Sequence, residues 1–399
     1  MSIHNHRPVR QPSTLPGLST LRTPSSLPSG HPIHCDKVHS GPCWNWVVVQ
    51  TLTGPEQQSL VLDGPEPRSF SSLNHSSIGR NGVASRLLIP VVRHCAGSGE
   101  AQDKRFTLPD RRVMRMIAVP VPGPSNHVHA VAVWAGGCDD PVPPVPIVGA
   151  IEWDAAGVAS FSPAAQFLLQ TPDDLLAGCT VPEMLSRFTH WNARGKFLTM
   201  FNLEAPTDRW TGTATRHFRN GTRNQFYIAA RASGGGANRI VRAVICDITG
   251  TQPTASPDPC SIAVRHMPVP PGHALALVDL KTGFVHEWLT EDGSPLAGWR
   301  HHNPEFDAAD QTLVNTISFE LATGVRQTAE VRVRVRFNPR DDWILVRVRC
   351  SRIDNGEQPQ ALIDITPIVP KPVPMVSNCQ MCQVLARRAA ERGEVCQTR

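Results

Sequence analysis

Apolar residues along this chain fall mostly at every second position or in short runs bounded by Gly, Pro, Asn and Asp. That is the pattern of half-buried strands rather than of long amphipathic helices. The first run, Trp44-Asn45-Trp46-Val47-Val48-Val49, stops at Thr53-Gly54-Pro55, and a second at 59–62 is closed by Asp63-Gly64-Pro65, so the two predict a hairpin. The stretch Ser85-Arg86-Leu87-Leu88-Ile89-Pro90-Val91-Val92 is mixed, and Pro90 argues against a long helix there. Strands at 114–121 and 128–134 follow, joined through Pro122-Gly123-Pro124, and the Pro-rich piece 141–146 predicts a stiff linker.

The same order then recurs twice. Gly149-Ala150-Ile151-Glu152-Trp153-Asp154, a turn at Ala155-Ala156-Gly157 and the run 158–161 predict a strand pair. Three helix starts follow, Ser162-Pro163, Thr171-Pro172-Asp173-Asp174 and Thr180-Val181-Pro182-Glu183, each with a capping side chain before Pro in the first turn. Strands at 210–219, 224–231 and 239–249 complete this part, with a hairpin turn at Asn220-Gly221 and a link at Gly234-Gly235-Gly236. In the third part, strands at 274–279 and 284–289 flank the turn Lys281-Thr282-Gly283, a helical or irregular middle ends near Gly324, and strands at 328–337, 343–353 and 361–366 close it. The tripeptide Asp247-Ile248-Thr249 returns as Asp364-Ile365-Thr366 at the end of each strand-rich part. A separation on the order of a hundred residues points to duplicated domains, since solenoid repeats run to about 20–50 residues.

Strand, turn, strand, several short helices, then three antiparallel strands ending in Asp-Ile-Thr resembles the PAS sensor domain. The resemblance is carried by Ile151-Glu152-Trp153-Asp154, Phe161-Ser162-Pro163-Ala164-Ala165, Leu175-Leu176-Ala177-Gly178-Cys179-Thr180, Phe218-Arg219-Asn220-Gly221-Thr222 and Cys246-Asp247-Ile248-Thr249. The third part looks like a more diverged copy, and the first is similar to a GAF or degenerate PAS domain. The whole, over about 43–367, resembles an actinobacterial, mycobacterial-type family of three-domain tandem sensors without an output module. Trp44-Asn45-Trp46-Val47-Val48, Ala118-Val119-Pro120-Val121 and Val128-His129-Ala130-Val131-Ala132-Val133-Trp134 carry it in the first part.

The expected fold class is therefore α+β: tandem PAS/GAF-like modules, each an antiparallel five-stranded sheet with short helices on one face. The expected divisions are a disordered tail at 1–42, domains at 43–140, 147–250 and 271–367, and a linker with a short helix at 368–399. The tail reads as disordered because Pro/Ser-rich sequence offers little apolar surface to offset chain entropy; an upstream, misassigned start would look the same.

Composition narrows the classes. With 399 residues, 40% hydrophobic, the chain holds two to three domains at roughly 100–200 residues each. No apolar run approaches the ~18 residues of a membrane span, and no hydrophobic leader opens the sequence. A net charge of +5 is mild for a nucleic-acid binder. Eleven scattered cysteines suggest reduced thiols, and with them a cytoplasmic protein.

PAS-like sheets enclose ligands between one sheet face and the covering helices, so the resemblance implies a pocket lined by Phe161, Phe167, Leu185, Phe188, Phe197 and Phe201. A packed core uses the same residues. Cys179 is the candidate for a flavin-reactive thiol, but Gly178-Cys179-Thr180-Val181-Pro182 lacks the signature of light-sensing relatives, and a buried structural thiol is the competing reading. His190, His301 and His302 are candidate haem ligands or plain surface histidines. Cys379-Gln380-Met381-Cys382 has only Cys396 after it, which leaves no fourth ligand nearby for tetrahedral zinc, and His31, His34, Cys35, His39 and Cys43 offer N and S donors in a flexible tail; both patterns are weak and no metal is assigned.

The alternation Val331-Arg332-Val333-Arg334-Val335-Arg336, answered by Val346-Arg347-Val348-Arg349, puts five arginines on one sheet face. Arginines facing each other across a hairpin repel and need acceptors, for which Glu287, Glu320, Glu330 or a partner's acidic groups are candidates. This face is either a solvated surface or an interaction surface. No phosphate-binding loop, zinc-protease motif or nucleophile elbow is present, so no catalytic residue is assigned. The expectation is a cytoplasmic, non-enzymatic tandem sensor or scaffold, of unknown cofactor, whose partners are a small-molecule ligand, an effector protein or a second copy in a homodimer. The alternatives are an interaction scaffold with collapsed pockets and, less favoured, nucleic-acid binding through the arginine face.

Overall fold

In the computed structural model, residues 46–368 are described except 79–82, 109–110, 172–177, 203–207, 252, 254–264, 291–293 and 355–357. The tail at 1–42, the helix start at 172–174 and the helix expected at 380–391 lie outside these residues.

Alternating apolar positions build three sheets with antiparallel neighbours throughout. The first contains β1 (Trp46–Gln50), β2 (Ser59–Asp63), β3 (Glu66–Ser71), β4 (Gln102–Thr107), β5 (Val113–Pro122) and β6 (Val128–Gly137), in the order β3-β2-β1-β6-β5-β4. The second contains β7 (Val148–Trp153), β8 (Ala159–Phe161), β9 (His190–Trp191), β10 (Arg209–His217), β11 (Arg223–Ser233) and β12 (Ile240–Asp247), ordered β8-β7-β12-β11-β10-β9. The third repeats that order with β13 (Ala274–Asp279), β14 (Val285–Thr290), β15 (Glu305–Phe306), β16 (Thr328–Arg336), β17 (Ile344–Asp354) and β18 (Pro359–Pro367). Each sheet thus has six strands, not the expected five. The extra edge strands β9 and β15 have two residues each, too few to leave an alternation in sequence. β3 is mostly half-buried and β4 mostly exposed, and both are largely polar, so no apolar pattern marks them either.

In every sheet the first strand lies between the second and the last, so the repetition is one of topology. The two Asp-Ile-Thr copies are not equivalent places in it. Asp247 ends β12 and Ile248 is buried between the first two sheets, whereas Asp364-Ile365-Thr366 lies inside β18 and Ile365 faces the core of the third sheet.

Against the first sheet packs α1 (Val83–Ser98), a 16-residue helix that continues through Pro90, contrary to expectation. Leu88, Val91, Val92 and Cys95 form its buried face, while Pro90 is on the exposed side. There the carbonyl that loses its amide partner can bond to water, and the burial of four side chains, at about 1.5–3 kcal/mol for each large one, outweighs a proline cost of about 3 kcal/mol. The opposite face of the first sheet packs on the second through Val48, Leu62, Val121, Tyr227, Ala229 and Val244.

The second sheet carries α2 (Pro163–Leu169), α3 (Val181–Ser186) and α4 (Arg194–Leu198) on its other face. Ser162 and Thr180 cap α2 and α3, with proline in the first turn, as their sequences predict. Gly149 permits α2 to lie close, since a Cβ there would come within 2.6 Å of the Ala165 Cα. α5 (Ala308–Thr323) covers the third sheet, capped by Asp307 and ended by Gly324 in the left-handed region. Among the described residues no helix is long and apolar enough to cross a membrane.

Candidate functional site

What fills the space between sheet and helices differs between the second and third sheets. In the second, Trp153, Phe188, Trp191, Phe197, Phe201, Trp210 and Phe226 form one aromatic cluster, with Phe197 within 5.1–5.6 Å of four neighbouring rings. Of the residues expected to line a pocket, Phe161, Leu185, Phe188, Phe197 and Phe201 are brought together, but as members of this packed core. Phe167 is 68% exposed and lines nothing: α2 turns Ala165, Leu168 and Leu169 inward, and position 167 falls on the opposite side of the helix.

The third sheet is the reverse case. Its inner face presents Val331, Val333, Val348, Ile363 and Ile365, and α5 offers Val314, Ser318 and Ala322 opposite them. Ile317, Leu321, Val333 and Ile365 pack together as the floor, and beside the half-buried Val331, Ser318 and Ala322 a half-open cavity of ≈ 990 Å³ remains. That lies at the upper end of the ~300–1,000 Å³ typical of small-molecule sites. Trp299 and Phe306 form part of its wall, and Trp299 stacks on Trp288 with centroids 5.0 Å apart. Cys350 also lines it, and burial pushes that thiol up to about 11, so it stays protonated at neutral pH.

The cavity reaches the second sheet's segment. Ala156, Pro182 and Asn202 complete its lining, and Phe284, on the turn before β14, belongs to the lining while packing against the second sheet's core. The surrounding junction is tightly bonded. Thr180 Oγ1 donates to the Arg300 carbonyl at 2.5 Å, and Asn303 Nδ2 to the Ala156 carbonyl at 2.6 Å. Buried Glu287 accepts from Arg194 at 3.0 Å and from Arg265 at 2.9 Å, and Arg265 also donates to the Phe188 carbonyl. Next to Glu287, His286 is 2% exposed, and neither ring nitrogen has a hydrogen-bond partner among the described residues. Burial first, and then the charge of Arg194, pull its pKa down to about 3.

The five arginines lie on one face, as alternation predicts, but three are answered within the chain, by the sheet or by the start of α5. Arg334 bonds Asp307 at 2.9 Å and Asp310 at 3.1 Å, Arg336 bonds Glu305 at 2.6 Å and stacks over Trp343, and Arg349 bonds Glu330 at 2.8 Å. Hydrogen bonds from these arginines hold Asp310, Glu305 and Glu330 below the usual carboxylate range. Of the expected acceptors only Glu330 serves; Glu287 is engaged at the junction and Glu320 pairs with Arg326. Arg332 and Arg347 face each other directly in register, and neither makes an ion pair among the described residues.

The remaining candidates do not assemble into a site. Cys179 is fully buried, and burial raises its thiol to about 12, which removes the reactive thiolate. His190 is on edge strand β9, while His301 and His302 are exposed, with His301 3.3 Å from Glu183. None of the three lines the cavity. Among the described residues no group of three His, Cys, Asp or Glu could hold a metal ion; the cysteine set at 379–396 and the His/Cys set at 31–43 lie outside them.

Residues 45–144 match the family model described as Rv3651-like, N-terminal. Across 88% of its length the chain is similar to the crystal structure of an uncharacterized protein from Mycobacterium tuberculosis, covering 99% of that chain at 21% identity with a TM-score of 0.62. That likeness is one of fold. Two other solved structures align far less well: an RNA-binding light-oxygen-voltage receptor, at TM-score 0.21, 8% identity and coverage of 55% and 95% of the two chains, and the periplasmic sensory domain of a Campylobacter jejuni chemoreceptor, at 0.17, 9%, and 54% and 77%. No curated protein matches the chain.

Proposed function

We propose that this chain is a non-enzymatic tandem sensor of three PAS/GAF-like modules, in which a small molecule held by the third module changes that module's contact with the second. The observation that carries this reading is the ≈ 990 Å³ cavity between α5 and the third sheet, whose lining includes residues from both sides of the junction. The thrice-repeated placement of the first strand between second and last supports the PAS-like assignment, together with the helices inserted before the later strands. The second module, its core filled by aromatic rings, acts as the receiving element and not as a second pocket. An effector protein would then read the altered arrangement.

A ligand can shift such an arrangement only by its differential affinity for the two states. The test is native mass spectrometry of the full chain purified from an actinobacterial host, followed by hydrogen exchange before and after the bound molecule is stripped. A retained molecule, with exchange at α3 and β14 rising on its removal, supports the sensor. A bare chain whose exchange is identical under both treatments leaves the scaffold reading in its place.

A further inference from the structure

The cavity wall is chemically asymmetric. Its floor is closed by packed aliphatic side chains, Val333 and Ile365 among them, and its walls add Val314, Val331 and Ala322 beside the rings of Phe284 and Phe306. Of its polar groups, Asn303, Gln311, Asn315 and Thr323 are exposed, while the uncharged Asn202, Thr282 and Ser318 are half-buried. Among the described lining residues, Lys281 alone carries a formal charge. It is exposed, follows β13 on the turn held by Asp279, and its ammonium makes no ion pair among the described residues. The wall thus combines a mainly apolar floor with one cation among its exposed groups.

We propose that the ligand is an amphipathic monoanion of the long-chain carboxylate type. Its hydrocarbon chain would lie between α5 and the inner face of the third sheet, and its carboxylate would meet Lys281 at the mouth. This inference rests on the cavity being the ligand site, and it adds the ligand's class. A multiply charged ligand such as a nucleotide finds one cation and no second donor of like charge, so its extra charges would go unpaired. An uncharged hydrocarbon would leave Lys281 without a role. A carboxylate-ended chain matches both ends of the wall, and each methylene it buries raises affinity about threefold to fourfold.

Isothermal titration of the full chain, stripped of bound molecules, tests this with octanoate, dodecanoate and dodecan-1-ol. Dodecanoate is expected to bind one per chain and octanoate at least tenfold more weakly. Lys281→Ala should weaken dodecanoate about fivefold, the upper end for an exposed ion pair, and leave dodecan-1-ol unchanged. Ser318→Trp, which fills the cavity from α5, should abolish binding of both, with Ala322→Phe as the second blocking variant; circular dichroism melts establish that each is folded. Equal binding of acid and alcohol, unaffected by Lys281→Ala, overturns the carboxylate assignment and leaves the cavity reading standing. Undiminished binding in a folded blocking variant overturns the cavity as the site. Silence from all three probes overturns the ligand class alone when the host-purified protein retains another molecule, and the sensor reading as well when it retains none.

Discussion

Phe284 and Phe201 meet edge to face across the junction of the second and third sheets, ring centroids 5.1 Å apart at 66°. Phe201 belongs to the aromatic core of the second sheet, whereas Phe284 also forms part of the cavity wall. Gly157, with φ +75°, makes the approach possible, because a Cβ there would lie 2.6 Å from the Phe284 ring. One side chain therefore touches both the proposed ligand and the core that would receive its signal.

Replacing that side chain should separate the two roles. Phe284→Ala is expected to cost about 2–3 kcal/mol, the range for a partly enclosed aromatic ring. It should also abolish any ligand-dependent change in hydrogen exchange at α3 while leaving ligand affinity within about threefold, since the rest of the wall is intact. Weakened binding with an unchanged exchange response at saturating ligand would show that the ring serves the cavity alone.

Between the first and second sheets the fold relies on a buried charge cluster. His129 is fully buried, its Nε2 2.8 Å from Glu152 Oε1 and its Nδ1 3.2 Å from the Ala243 carbonyl oxygen. Burial alone would raise the Glu152 carboxyl; hydrogen bonds from His129 and Ser125, with the charges of His129 and Arg242, outweigh it and bring the carboxyl down to about 2. A carboxyl depressed in the folded state stabilises fully above its unfolded value of 4.5 and loses that contribution as pH falls toward 2. Glu152→Gln should therefore lower stability by roughly 2–3 kcal/mol at pH 7, a difference that shrinks in denaturant melts between pH 4.5 and 2. A difference that is constant over that range would assign the loss to packing.

How far these features were legible in sequence depends on whether they rest on local pattern or on volume. Strand alternation, the Ser162 and Thr180 caps and the Arg332–Arg349 face are local, and each appears where the residues point. The cavity is not local. It exists because Val331, Val333 and Val348 happen to oppose Ser318 and Ala322, an encounter of segments brought together only by the fold. Aromatic content pointed to the second sheet instead, yet large rings such as Phe197 and Trp210 fill space rather than leave it. Pro90 misled for a related reason: a helix-breaking residue is tolerated when the burial of Leu88, Val91 and Val92 favours continuing the helix.

His286 makes a second pH-dependent term at the other junction. Its ring is neutral in the fold down to about pH 3 but takes up a proton near 6.5 when exposed in the unfolded chain. The unfolded state thus binds more protons between these values. The stability associated with the neutral buried ring is fully present above 6.5 and is lost as pH falls toward 3, by about 1.4 kcal/mol per unit. His286→Leu should match or exceed the wild type at pH 7, because two buried nitrogens without partners among the described residues are removed, and its advantage should widen steadily on acidification. Parallel stability curves for the two proteins from pH 6.5 to 4 would contradict this.

The pair Arg332 and Arg347 tests whether the outer face of the third sheet is shaped by its own stability. Cross-strand like charges destabilise by up to ~1 kcal/mol, and neighbouring Arg334, Arg336 and Arg349 are each neutralised by an acidic residue. Arg332→Glu places a carboxylate opposite Arg347 and should raise the melting free energy by about 0.5–1 kcal/mol at low ionic strength. The gain should fade in 0.5 M salt, because screening weakens both the repulsion removed and the attraction created. If the substitution instead destabilises the free chain, Arg332 is engaged by a group within the chain. If it stabilises as expected, two adjacent cations have been kept at a cost in stability, and a partner's acidic surface is the simplest return for that cost.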